Sequence, residues 1–395
     1  MLVIVAIVLV SLVLVTWMWR HVMLSATLRD DPHLHADADA EAPANAPKLS
    51  VLIPARNEAH NIVRALDTVL AQDYPDFEVI VADDRSDDDT RTIVRTVAES
   101  DPRVGLVTCD QLPDGWTGKN HALWCAQKEA RGELLLFLDA DVALDPGAIN
   151  VMVNALLEGR LDMLSLLLRV DSRSFWEKSI RVLVGSMLML RFPLRKVNDP
   201  SSSVAFANGQ AILIRREVYD AVGSHESIRS ILLEDIALAR RVKQDGHRLC
   251  AAYGFDMAAA RMYASLADIW RGWSRIFYSA FEGSLPKLLV GVLLLAVFTL
   301  LPYFALVYAA ALLLSGVAPA APTALLVLSL MQITVMLSLM VRMHRMTRCE
   351  AGYVVMHFPA ALLAMGILFT SISRKFSRRG IAWKGTRYDT RGDHV

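Results

Sequence analysis

Charge is missing from long stretches of this chain. Residues 2–19, 288–341 and 351–373 contain no Asp, Glu, Lys or Arg. Such runs exclude an ordinary soluble protein. A hydrophobic content of 54% also excludes a disordered chain, which would be poor in apolar residues and rich in one sign of charge. Net charge is absent as well. The 41 basic residues balance 41 acidic ones, so nucleic acid is not expected as a partner. Cysteine is scarce: Cys109, Cys125, Cys250 and Cys349 form no CxxC pair and match no zinc spacing. That excludes a small disulfide scaffold, and buried or inert thiols in a reducing compartment are expected. There is no Gly-rich phosphate loop of the GxGxxG or GxxxxGK[ST] type. Any nucleotide is then expected on a carboxylate-bound metal and a base pocket, not on a helix N-terminus.

The charge-free runs are long enough to cross a hydrocarbon core of about 30 Å. Residues 2–19 carry Trp17 and Trp19 for the interface, with Arg20 following at once. No basic residue precedes the run and no clear small-residue cleavage site follows, so a retained anchor (1–20) is expected, with the next domain on the cytoplasmic side of the plasma membrane. The 288–341 run is broken by Gly316, Pro319 and Pro322 and reads as two spans, the first long and holding Pro302, so that tilt or a kink is expected there. Residues 351–373 hold Pro359. A full third span would put the basic tail, 374–395, on the far side, against the positive-inside rule, so a re-entrant or interface-lying segment is expected there. Residues 21–48 read as a flexible acidic Ala/Pro-rich linker. His33, His35, Asp37 and Asp39 within it read as linker composition, not metal ligands.

Residues 49–287 alternate apolar strand runs with helical patterns. Strands are expected at 49–55, 77–84, 104–110 and 133–142, and helices at 58–72, 87–98 and 119–130. This order predicts an α/β fold: a mainly parallel sheet with helices on both faces, plus N- and C-terminal transmembrane helices. In open α/β sheets ligands bind beyond the C-terminal ends of the strands. Asp83-Asp84 ends the second strand and Asp139-Ala140-Asp141 the fourth, so both acidic pairs reach one rim. Capping explains either pair alone, but hardly both. Hard divalent cations take oxygen ligands, and Mg²⁺ binds one or two carboxylates plus substrate phosphates. If the fourth strand continues, Asp139 and Asp141 point the same way. A metal held there would neutralise charge developing on a departing diphosphate.

LSVLIPARNEAHNI, EVIVADDRSDDDT and LLFLDADV, in that order and spacing, resemble the nucleotide-sugar half of family-2 glycosyltransferases of the GT-A fold. The resemblance implies that Asp83 and Asp84 contact a uracil-type base. Pro54, Arg56 and Glu58 would line the base and ribose pocket, and Asp139 and Asp141 would form the DxD motif holding Mg²⁺ or Mn²⁺. Glu234-Asp235 matches the family's ED pair, with Asp235 the implied general base; an acidic pair favoured by the helix dipole is the alternative. Asn208, Gly209 and Gln210 fall where the family contacts sugar and acceptor. DIWRGWSR (268–275) falls where processive members carry QxxRW but lacks the Gln, and Gly272 separates Arg271 from Trp273. Arg271 steadies the leaving diphosphate in one reading. In the other, Trp270, Trp273 and Phe277 dip into lipid from an interfacial helix.

GWxGK (residues 115–119), SFWE (174–177), VNDP (197–200) and WKGxxY (383–388) together resemble membrane glycosyltransferases of hopanoid and carotenoid glycolipid pathways, nearest the hopene-associated subgroup. Lys119 would neutralise phosphate charge and Trp116 pack near the donor, or they are a loop lysine and a buried Trp. Helix 176–194, basic and apolar, reads as membrane-surface or as core. The expected activity is inverting transfer from a nucleotide-sugar donor, UDP-type, to a lipid acceptor at the membrane. A processive polysaccharide synthase and a non-catalytic membrane scaffold are the alternatives.

Overall fold

The computed structural model describes residues 1–263 and 265–374, and the backbone of 375–376, 381–383 and 386–388. The basic tail beyond Phe376, including the WKGxxY side chains, lies outside the described residues. The chain divides into two compact units. One holds Met1–Asp30, Ser172–Leu190 and Tyr263–Arg378; the other holds Asp31–Asp171 and Arg191–Met262. The first half runs α1 (Leu2–Asp30), β1 (His33–His35), β2 (Leu49–Ala55), α2 (Ile62–Leu70), β3 (Phe77–Asp83), α3 (Thr90–Ser100), β4 (Val104–Thr108), α4 (Gly118–Glu129), β5 (Leu134–Leu138), β6 (Val142–Leu144), α5 (Ala148–Glu158), β7 (Met163–Val170) and α6 (Phe175–Arg191). Then follow α7 (Leu194–Val197), β8 (Ala211–Arg215), α8 (Arg216–Ala221), α9 (Glu234–Gln244), β9 (Leu249–Ala260), α10 (Leu266–Ala280), α11 (Leu285–Leu295), α12 (Leu301–Leu314), α13 (Ala320–Met346) and α14 (His357–Phe376).

The α/β unit is built on a nine-stranded sheet whose main path is β1-β9-β7-β8-β5-β2-β3-β4, with β6 on β9. β2, β3 and β5 are apolar along nearly their whole length and buried, as strands covered on both faces must be. Parallel pairing sets Ala55 opposite Asp83 and Leu52 opposite Phe137, so β2, β3 and β5 end on one rim. β8 runs antiparallel to β5 with Ala211 opposite Leu138, so the chain entering β8 arrives at that same rim.

Three expectations need correction. β5 stops at Leu138, and Asp139-Ala140-Asp141 form a turn in which the Val142 N–H donates to the Asp139 carbonyl at 3.1 Å. Strand alternation therefore does not orient the two carboxylates. Residues 21–48 are not a loose linker. α1 continues to Asp30, His33–His35 pair with β9, and the side chains of Asn150 and Asn154 donate to the carbonyls of Ala40 and Glu41 at 2.7 and 2.9 Å. The boundary expected at 287 falls at Met262, because α6 and α10 group with the apolar helices.

In the apolar unit, Ile180, Leu183 and Val184 of α6 pack with Ile269, Trp273 and Phe277 of α10 and with the small-residue face Ala360, Ala361 and Ala364 of α14. A π-turn, Ala296–Leu300, joins α11 to α12 just before Pro302. Pro302 has no N–H, so the Phe298 carbonyl four residues earlier loses its helical partner. Trp17 Nε1 donates to that carbonyl at 2.9 Å instead. Four helical segments, Leu2–Asp30, Leu285–Leu314, Ala320–Met346 and Ala351–Arg374, are long and apolar enough to cross a membrane. Pro359 lies in the first turn of α14, where its missing N–H breaks no helical bond, and the segment expected to be re-entrant is of spanning length.

Candidate active site

The rim gathers the acids from four elements. Asp83, fully buried at the end of β3, accepts from Arg91 Nε and Nη2 at 2.9 and 2.8 Å. Arg91 reaches it from the first turn of α3 and also holds Asp110 at 2.8 Å. The other Asp83 oxygen, Oδ1, is buried with no partner among the described residues. An unpaired buried carboxylate oxygen is costly. Asp84, nearly as buried, accepts from Arg85 Nε at 2.8 Å and lies 3.6 Å from Arg56 Nη1. Pro54 is the penultimate residue of β2, and Glu58 accepts from Asn61 Nδ2 at 2.8 Å. Asn57 and Arg85, just past the ends of β2 and β3, both have positive φ, 54° and 55°. Non-glycine residues in that region store strain, which clusters at ligand sites.

α4 brings the next layer. Thr117 caps its start and accepts from the Asn120 N–H at 3.3 Å. A Cβ on Gly118 would stand 2.2 Å from Asp84 Oδ2, so only glycine lets the helix start this close to the carboxylate. Lys119, next along, bridges Asp139 Oδ1 and Glu234 Oε1 at 2.7 Å each. Burial alone would discharge the ammonium, but Asp139 and Glu234 outweigh it and hold Lys119 charged well above the usual lysine range. The GWxGK stretch is thus a helix start that meets one carboxylate and a cation that ties two more. Trp116 packs edge-on to His121 and tilted against Trp124, with ring centroids 5.4 and 5.0 Å away.

Asp235 opens α9 next to Glu234. Its Oδ2 accepts from the Gly209 N–H at 2.9 Å and its Oδ1 from the Ile236 N–H at 2.8 Å. Burial and the neighbouring Glu234 push it up to about 7, against the lowering effect of Lys119. A Cβ on Gly209 would lie 3.1 Å from Asp235 Oδ2 and 3.2 Å from Lys119 Nζ, which fixes all three in one cluster. Asn208 is locked by its amide to Leu166 O at 2.9 Å and Gln210 Oε1 at 3.0 Å, and the Gln210 carbonyl accepts from the Asp139 N–H at 3.1 Å.

Fourteen of the sixteen expected site residues therefore fall in the α/β unit, along the C-terminal rim of β2, β3 and β5 and in the segments entering β8 and α9. Arg271 and Trp273 belong to the other unit. Arg271 is exposed and paired with Asp268 at 2.6 Å, while Trp273 is buried against Phe277 with ring centroids 5.5 Å apart. Residues missed by sequence reasoning are Arg91 and Arg85, which anchor Asp83 and Asp84. No periodicity marks such partners, because Arg91 meets Asp83 across a loop.

Asp139 and Asp141, two residues apart in one turn, carry oxygen donors of the kind a hard divalent cation takes, and the Lys119 ammonium bridges Asp139 and Glu234 beside them.

Residues 50–223 match the model of glycosyl transferase family 2. Over that segment the chain is similar to family 2 glycosyltransferases. The chain is 27% identical over 252 residues to 4,4'-diaponeurosporenoate glycosyltransferase of Staphylococcus aureus (strain MRSA252), covering 62% of this chain and 65% of that relative. The chain thus aligns with a little under two thirds of the relative's length. Among solved structures, a mannosyltransferase from Pyrobaculum calidifontis in complex with GDP-Man and Mn²⁺ superposes with a TM-score of 0.54 at 20% identity, covering 92% of this chain and 99% of that one. At that identity the likeness is one of fold, and the fold around the matched segment is of the GT-A type.

Proposed function

We propose that this protein is a membrane-bound, inverting glycosyltransferase that moves a sugar from a nucleotide-diphosphate donor, UDP-type, to the hydroxyl of a membrane lipid of carotenoid or hopanoid kind. The observation that carries the reading is the single cluster of Asp139, Lys119, Glu234 and Asp235 beside the Asp83-Asp84 wall. In this reading Asp83 and Asp84 receive the base, with Arg56 and Glu58 toward the ribose. Asp139 and Asp141 would hold Mg²⁺ or Mn²⁺, which, when bound, neutralises charge on the leaving diphosphate. Lys119 supplies a fixed positive charge at the same place. Asp235 takes the proton of the acceptor hydroxyl. The acceptor oxygen forms its bond to the anomeric carbon as the carbon–phosphate oxygen bond breaks, and the nucleoside diphosphate leaves with that electron pair. A base with a pKa near 7 is matched to this task, and such a base typically contributes about 10²–10⁴-fold. Asn208 and Gln210 offer the sugar polar contacts. Arg271 and Trp273 would serve the leaving diphosphate or the lipid side. The four apolar helices and the named acceptor of the Staphylococcus aureus relative support a lipid acceptor.

The test uses the full chain in lipid vesicles with radiolabelled UDP- and GDP-sugars and Mn²⁺. Label should move into an extractable lipid, and Asp139→Ala combined with Asp141→Ala should abolish it. Label in polymer would favour a synthase, and no donor turnover with any nucleotide sugar would favour a scaffold.

A further inference from the structure

We propose that Cys109, His121 and Cys125 form a site for zinc, separate from the carboxylate cluster. Cys109 follows β4, with its N–H donating to the Asp83 carbonyl at 2.9 Å. His121 and Cys125 stand four apart on α4 and so share one face of the helix. One ligand atom from each of the three residues lies within 4.8 Å of the others. His121 Nε2 and Cys125 Sγ are 3.6 Å apart. Tetrahedral zinc, with Zn–S of about 2.3 Å and Zn–N of about 2.0 Å, needs an N···S edge of about 3.5 Å. The pair therefore already stands at coordination spacing.

Hydrogen bonding does not account for the histidine. Its Nε2 faces only a sulfur, and its Nδ1 is buried with no partner among the described residues. Cys109 is likewise buried, at 3% exposure, and the expectation of scattered inert thiols does not cover two cysteines converging on an imidazole. Thiolate and imidazole are the ligands that zinc favours over Mg²⁺ or Mn²⁺, so this site and the oxygen-lined one would take different ions. Two thiolates and a neutral imidazole cancel the charge of a divalent ion, which suits a buried place. Burial holds the Cys109 thiol protonated well above its usual range. Metal entry then forms two Zn–S bonds and one Zn–N bond and releases two thiol protons to water, so affinity rises with pH. The fourth position is left for a water. A filled site would clamp the end of β4 to α4 directly behind Asp83 and Asp84. The proposal uses none of the transfer chemistry.

The experiment titrates full-length protein, purified in detergent with a phosphine reductant, with Co²⁺ and then Zn²⁺. One equivalent of cobalt should give tetrahedral visible bands and a thiolate-to-cobalt charge-transfer band, which zinc abolishes. Asp139 and Asp141 have no thiolate and cannot produce that band. Cys109→Ser and Cys125→Ser should each lose it with an unchanged circular dichroism spectrum, and His121→Gln should weaken metal affinity by about tenfold or more. Absence of the charge-transfer band in the wild-type protein overturns the proposal. So does its persistence in both cysteine variants, or recovery of a Cys109–Cys125 disulfide with no metal uptake after reduction.

Discussion

Lys119 sets the charge balance of the residues around it. With its ammonium removed, Asp139 and Glu234 lose their shared partner and Asp235 loses the one nearby charge that favours its ionised form. Lys119→Met should therefore raise the pKa of Asp235, and the rise of kcat/KM with pH should move to higher pH by about one unit or more. A pH–rate profile on both proteins checks this, and an unmoved profile would separate Lys119 from the base. Gly118→Ala is the sharpest steric test, because its methyl would land 2.2 Å from Asp84 Oδ2. Nucleotide affinity, measured by calorimetry, should fall by about tenfold or more for a displaced contact of about 1.4 kcal/mol. At this scale the acids were readable in the sequence because each pair is adjacent or two apart at the end of an apolar run. Arg91 and Cys109 were not, since their partners come from other elements; Arg85 beside Asp84 and the i, i+4 pair His121 and Cys125 carried a local signal that the reading passed over.

The elements were legible where burial is continuous. β2, β3 and β5 and the helices between them lie where the apolar runs put them, because a buried parallel strand needs nothing but apolar residues and a turn. The reading failed where a few residues choose between strand and turn. Asp139-Ala140-Asp141 break out of β5 at the rim, where Asp139 meets Lys119 while Ala140 between the two acids stays in the core. The acidic segment before β2 has a linker's composition, yet it is fixed by backbone pairing of His33–His35 to β9 and by two asparagines reading its carbonyls, contacts that composition cannot signal. In the apolar unit, the kink expected at Pro302 takes the form of a π-turn, and Trp17 meets the carbonyl that proline frees. Trp17→Phe keeps the ring and removes the donor. It should lower stability in detergent by about 0.6 kcal/mol, the typical value for hydrogen bonds between spanning helices. A thermal or denaturant melt unchanged within error would mean that the carbonyl finds another donor.

Over the whole molecule, two units are threaded from one chain, with α6 and α10 leaving the catalytic segment to join the apolar helices. Composition could not announce this, because α6 mixes basic and apolar residues as a surface helix would; its partners on α10 and α14 decide its place. With four helices of spanning length, the protein should stay with membranes through an alkaline carbonate wash, and its release into the supernatant would speak against membrane insertion. The central claim is that Asp235 is the base for sugar transfer beside a carboxylate-held metal. Because burial and Glu234 push its carboxyl up to about 7, the base form grows as pH rises, so kcat/KM should climb through about pH 7 and level off above it. The most direct measurement is transfer from a labelled nucleotide sugar by Asp235→Asn against wild type across this range, with nucleotide affinity measured on the same samples. The account predicts a loss of about 10²–10⁴-fold in turnover, no remaining climb through pH 7, and unchanged nucleotide affinity. Turnover near the wild-type level with the same pH profile would contradict it.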